Sequence, residues 1–93
     1  MIKTIKHKGL RKLWEKDDAS ALPAQQVDKI RRILETLDTM KTLDILKAIP
    51  GYRFHSLTGN LKGHYSVTVT GNYRITFMYE DQDVYVVDYQ DYH

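Results

Sequence analysis

An α+β fold, with N-terminal helices packed on an antiparallel β-sheet, is what this sequence predicts. Three observations carry that expectation. Apolar residues recur at helical spacing up to residue 49 and alternate with period two after residue 51. Short turn-forming stretches separate four alternating segments, which suits an antiparallel meander covered on one face by helices. The chain has 93 residues, enough for one modest core and too few for two, so a single domain is expected over residues 1–93.

Taken in order, Ile2 to Ile5 suit a short strand. Leu10, Leu13 and Trp14 follow the i, i+3, i+4 rule and predict an amphipathic helix over residues 8–16. Its other positions are mostly basic. Asp17, Asp18, Ala19 and Ser20 make a polar break. Pro23 fits the first turn of a second helix, where its missing N–H leaves no bond unmade. Val27, Ile30, Leu34 and Leu37, widened by Ile33 and Met40, predict that helix over residues 23–38. The stripe is too short for a coiled coil. Leu43, Ile45, Leu46 and Ile49 suit one or two further turns before Pro50-Gly51, which must break them.

The strands follow. Residues 52–57 alternate, with Arg53, His55 and Leu57 on one side and Tyr52, Phe54 and Ser56 on the other. A glycine-containing loop over residues 58–63 leads to a second strand, residues 65–69. Gly71-Asn72 is a two-residue hairpin signal. Residues 73–79 form the cleanest strand, with Tyr73, Ile75 and Phe77 toward the core and Arg74 and Thr76 the other way. Residues 80–83 turn, and residues 84–89 are the last strand. The chain has no internal repeat and no low-complexity segment.

Composition narrows the function. Hydrophobic residues are 42% and charged residues 28% of the chain, an ordinary globular balance. No apolar run approaches the roughly 20 residues that span a bilayer, so no membrane association is expected. The first residues lack a signal-peptide core, which predicts a cytoplasmic protein. The chain has no cysteine, so disulfides, thiolate chemistry, zinc fingers and Fe–S clusters are excluded. It has no Walker loop, G-x-G-x-x-G or nucleophile elbow. The net charge of +2 conceals a sorting: residues 1–78 balance to +7 and residues 79–93 to −5. All seven tyrosines lie after residue 51.

The last residues concentrate chemistry. Asp91, Tyr92 and His93 bring carboxylate, phenol and imidazole together. An imidazole near its reference pKa of roughly 6.5 exchanges a proton at neutral pH. His55 on the same surface supplies the other half of an acid–base pair. Arg74, with Arg53 beside His55, stabilises charge building on a phosphate. This set suffices to cut RNA without a metal or any other cofactor. One imidazole activates the 2′-hydroxyl, another protonates the leaving 5′-oxygen, and arginine holds the phosphorane. Two readings compete. In the plainer one, the arginines and histidine are merely solvated. In the other, His55, His64, His93 and Asp91 ligate a metal, but they lack any local ligand spacing.

Five segments resemble one family. They are residues 2–10 (IKTIKHKGL), 23–28 (PAQQVD), 55–59 (HSLTG), 73–77 (YRITF) and 91–93 (DYH). Together they are similar to the HigB toxins of the RelE/ParE superfamily, from bacterial type II toxin–antitoxin modules. The resemblance runs in order over essentially the whole chain. It implies a microbial-RNase-like RelE/ParE fold and endonucleolytic cleavage of mRNA in the ribosomal A site. It implies inhibition by a HigA-like helix-turn-helix antitoxin, with operator DNA bound only through the toxin–antitoxin complex. His55, Asp91, Tyr92 and His93 match the family's catalytic set, and Arg74 matches its phosphate-holding arginine.

On that resemblance, His55 and His93 move protons in either order. Asp91 orients a histidine or acts as base, and Tyr92 stacks or hydrogen-bonds near the substrate. Lys8, Arg11, Lys12, Lys29, Arg31 and Arg32 dock on ribosomal RNA, binding and orienting without reading bases. Two positions depart from the pattern: Thr58 and Thr70 stand where some relatives carry lysine and arginine. This predicts weaker phosphate contact, with Lys62 or Arg53 as compensating cations. The alternative function is a ParE-like toxin acting on DNA gyrase, which needs no histidine pair. A third is an RNA- or protein-binding module with an inert polar face.

Overall fold

A computed structural model describes residues 1–91. In chain order it forms α1 (Lys8–Lys16), α2 (Val27–Thr39), α3 (Asp44–Ala48), β1 (His55–Ser56), β2 (His64–Thr68), β3 (Tyr73–Glu80) and β4 (Asp83–Asp91). The four strands make one antiparallel sheet in the order β1-β2-β3-β4. The helices cover one face of it, as the two apolar periodicities predict.

Each helix end has a local cause. The ring of His7 caps α1, its Nδ1 accepting from the Leu10 N–H at 3.2 Å. Asp17 closes α1 in the left-handed conformation, φ 54, and its N–H returns to the Leu13 carbonyl. Pro23 stands just before a 3-10 turn, Ala24–Gln26, that leads into α2. The predicted helix over residues 23–38 is therefore real, but its first turn is the tighter form. Ile30, Ile33, Leu34 and Leu37 are fully buried from α2. They meet Leu10 and Leu13 of α1 and Val67, Ile75, Phe77, Val84 and Val87 of the sheet in one core.

Three strand expectations need correction. The strand over residues 52–57 contracts to His55–Ser56. Arg53 adopts φ 46, which breaks the extended run, although Tyr52 still accepts from the Thr68 N–H at 2.7 Å. Residues 2–5 form only two isolated parallel bridges, Ile2 to Val84 and Ile5 to Val87. They cover the outer edge of β4, which would otherwise expose unpaired backbone groups.

The third correction is a bulge in β4, which runs on to Asp91. Met78 pairs with Tyr85 and Thr76 with Asp88, so Val86 and Val87 both stand against Phe77. Val86 takes φ 54, and its N–H donates to Thr4 Oγ1 at 2.8 Å. One extra residue reverses the parity of everything after it. Val84 and Val87 both enter the core. Beyond them, Tyr89 and Asp91 turn to the helix side, and Asp88 and Gln90 to the opposite face.

Candidate active site

The sheet face away from the helices collects the polar side chains. Direct strand pairing sets His55, Ser66, Thr76 and Asp88 in one row across all four strands. Two residues along, Thr68, Arg74 and Gln90 make a second row on the same face. His55 and Arg74 therefore share a face, as expected if His55 points away from the core. Two strand spacings and two residues of rise separate their backbones by about 12 Å.

Backbone and side chains fix these groups. His55 Nδ1 lies 2.9 Å from the Arg53 carbonyl oxygen, and Nε2 lies 3.3 Å from Ser66 Oγ. The ring is exposed, whereas Ser66 and Thr76 beneath it are each 1% exposed. Arg74 Nη2 donates to Gln90 Oε1 at 3.5 Å, and Gln90 Nε2 donates to Asp88 Oδ2 at 3.2 Å. Asp88 Oδ1 in turn accepts from the Tyr89 N–H at 2.9 Å. The guanidinium is thus linked by an amide to a carboxylate, which orients it along the sheet face.

The other catalytic candidates fall differently. Asp91 pairs with Tyr73 at the end of β4, so its position belongs to the helix-side face, opposite His55 and Arg74. It lies beside Tyr89, whose phenol is pushed above its ordinary value first by burial, then by Tyr73 and Asp91. The Tyr73 and Tyr89 rings stack at 5.2 Å. Tyr92 and His93 lie outside the described residues.

Five of the basic candidates line two grooves. Lys8, Arg11 and Lys12 line one with Glu15 and Lys16, of about 280 Å³. Lys29 and Arg32 line another, of about 730 Å³, floored by Ile49, Pro50 and Tyr52. Lys29 Nζ stands 5.8 Å from the Tyr52 ring centre. Arg31 joins neither and forms an ion pair with Asp17 at the end of α1. Arg53 and Lys62 are exposed on the loops flanking β1.

Ser66, Thr76, Asp88 and Gln90 are the site-face residues that motif reasoning passed over. Serine, threonine, aspartate and glutamine in strands carry no motif, and only register brings them beside His55 and Arg74. His64 also belongs to this face, two residues before Ser66. Its Nδ1 is buried with no hydrogen-bond partner among the described residues. No group of three His, Asp or Glu that would hold a metal occurs among the described residues. No described helix is long and apolar enough to cross a membrane.

A family model for the RelE-like toxin of the type II toxin–antitoxin system HigB matches residues 3–93. The chain belongs to the HigB-like toxins. It is 44% identical to Endoribonuclease HigB of Proteus vulgaris over 93 residues, all of both chains. It is 37% identical to Toxin HigB-1 of Vibrio cholerae over 78 residues, which is 83% of this chain and 82% of that one.

Solved structures show where the HigB-like fold sits. The YoeB-YefM toxin-antitoxin complex from Staphylococcus aureus contains a chain with TM-score 0.62 and 20% identity, covering 100% of this chain and 95% of that one. YafQ from Escherichia coli gives TM-score 0.59 at 13% identity, over 98% and 91% of the two chains. At such identities the likeness concerns the fold, and it agrees with the RelE-type architecture expected from the sequence. The gyrase-poison alternative finds no support in these relatives.

Proposed function

We propose that this HigB-like toxin is an endoribonuclease that cuts mRNA on the ribosome, using the sheet face that holds His55 and Arg74. The observation that carries this reading is their placement on one face, in a chain alignable end to end with a named endoribonuclease. His55 exchanges a proton with the RNA, and Arg74 holds the scissile phosphate. In the cut, the 2′-hydroxyl loses its proton to a base and O2′ bonds to phosphorus. The P–O5′ bond breaks, and an acid protonates O5′. Arginine stabilises the charge that gathers on the phosphorane. No metal or other cofactor is required. His93 is the second imidazole for this exchange, and Tyr92 a contact to the substrate.

Thr58 and Thr70 stand where some relatives carry cations, and His55 sits exposed. Such a site gains from a ribosome that holds the mRNA in an attack geometry. The α1 and α2 grooves supply the cations for docking on ribosomal RNA. The antitoxin is of the HigA-like helix-turn-helix type, operator DNA is bound through the toxin–antitoxin complex, and the site of action is the cytoplasm.

The test is induction from a tightly closed promoter, with mRNA 5′ ends mapped. New ends are expected within codons of translated messages. His55→Ala should lower cutting about 10²–10⁴-fold, and Arg74→Ala about 10²–10³-fold. Growth arrest without new ends, or variants that cut like the parent, would overturn the nuclease reading.

A further inference from the structure

Both ring nitrogens of His55 are engaged by this chain, from two different directions. Nδ1 faces the Arg53 carbonyl oxygen at 2.9 Å. A carbonyl oxygen only accepts, so Nδ1 carries the hydrogen. The neutral ring then keeps its lone pair on Nε2, where the Ser66 hydroxyl lies at 3.3 Å and donates. The carbonyl is aimed by the left-handed backbone of Arg53, φ 46. The hydroxyl is aimed by the sheet, because Ser66 is the direct pairing partner of His55. Ser66 is 1% exposed, so its short side chain has one ring to serve and little solvent to compete with it.

We propose that Ser66 is a positioning residue that, with the Arg53 carbonyl, holds His55 as its Nδ1–H tautomer and makes Nε2 the atom that exchanges the proton with RNA. The proposal rests on the nuclease reading above. A hydroxyl suits this position in both protonation states. It donates to Nε2 when the ring is neutral. In the exchange the RNA hydroxyl displaces the Ser66 hydrogen, held across a long 3.3 Å contact, from the Nε2 lone pair and gives its own proton to Nε2. Ser66 keeps its hydrogen, turns it away, and its oxygen then accepts from Nε2–H. Rotation about one bond covers the change, and no buried charge is created. An alanine here would leave the ring held by one contact instead of two.

The tautomer is read by long-range ¹H–¹⁵N NMR on the full chain, independently of activity. The wild-type ring should be Nδ1–H when neutral, and Ser66→Ala should mix the two tautomers. In ribosome-bound mRNA cleavage, Ser66→Ala should lower kcat at least about tenfold, by analogy with tautomer control in hydrolytic triads, and leave KM within about twofold. Ser66→Thr keeps the hydroxyl and should retain both tautomer and rate. An Nε2–H ring in the wild type overturns the proposal, as does unchanged kcat in Ser66→Ala. So does a Ser66→Thr variant with the wild-type tautomer but the alanine rate. If His55→Ala instead cuts like the parent, the nuclease reading fails while the tautomer result is still read separately.

Discussion

Tyr89 reaches across the interface between sheet and helices to donate its phenol hydrogen to Gln26 Oε1. Gln26 is 7% exposed, so removing that hydrogen strands a buried acceptor. Tyr89→Phe should therefore cost about 1–3 kcal/mol at neutral pH. Tyr89 also has an alkaline signature that comes from its burial. Burial, with Tyr73 and Asp91 nearby, raises the Tyr89 pKa above 10.0, and burial raises Tyr52 likewise. For a raised pKa the stabilisation is complete below the unfolded value and is lost as pH rises through the folded one. Stability of the parent should thus fall above about pH 10, and Tyr89→Phe should fall less steeply; urea midpoints across that range check it. Gly9 is a second residue with a definite cause. A Cβ there would lie 2.9 Å from His7 Cε1 and 3.2 Å from Leu22 Cδ2. The His7 ring cannot easily retreat, since it caps α1 and sets its edge on Tyr89 at 5.4 Å. Gly9→Ala should cost about 1–3 kcal/mol from crowding, outweighing a helix gain of about 0.5–1 kcal/mol. A thermal melt at or above the parent's would refute it.

At the scale of elements, β4 is where the sequence pattern and the fold diverge. Simple alternation from Val84 places Val86, Asp88 and Gln90 on the core side. The bulge instead sends Val87, Tyr89 and Asp91 there and hands Asp88 and Gln90 to the site face. A β-branched residue at φ 54 carries a backbone cost of about 1–2 kcal/mol. Val86→Gly relieves that cost while losing about 0.5–1 kcal/mol to chain entropy, so it should change stability by no more than about 1.5 kcal/mol. Val87→Gly removes a fully buried side chain and should cost about 3 kcal/mol or more. Chemical denaturation of the two variants compares them directly, and equal losses would refute the bulge. The other elements were more legible. The predicted α1 limits, residues 8–16, match Lys8–Lys16, because an amphipathic stripe flanked by polar breaks depends only on nearby residues. The short β1 was not legible, since the left-handed Arg53 follows from tertiary packing that no local spacing records.

For the molecule as a whole, the charge sorting has a definite geometry. Lys8, Arg11 and Lys12 of α1 and Lys29 and Arg32 of α2 lie along two grooves on the helices, and Arg74 stands on the far face of the sheet. On the proposed reading, docking and chemistry therefore fall to different surfaces. Ribosome affinity should fall steeply with salt. Replacing Lys8, Arg11 and Lys12 together by alanine should flatten the log–log slope by about 2 to 3. Binding measured across a salt series checks it, and an unchanged slope would remove α1 from the docking surface. Arg31 should contribute little, because Asp17 already holds it.

The sequence alone determined the α+β architecture, the four-strand meander, the absence of cysteine chemistry and the HigB-like family. Periodicity and composition are local or global sums, and the family rests on the likeness of five short segments, so all of these survive without coordinates. His55 and Arg74 stood out in the sequence as candidates, because imidazole and guanidinium advertise their chemistry by type, and the register sets them on one face. Which side chains stand beside them was decided only by the tertiary structure. Ser66, Asp88 and Gln90 reach that face through strand register and one inserted residue at Val86, and the same insertion turns the Asp91 position to the helix side. Register depends on pairings between residues far apart in the chain, and a single bulge reverses every face after it.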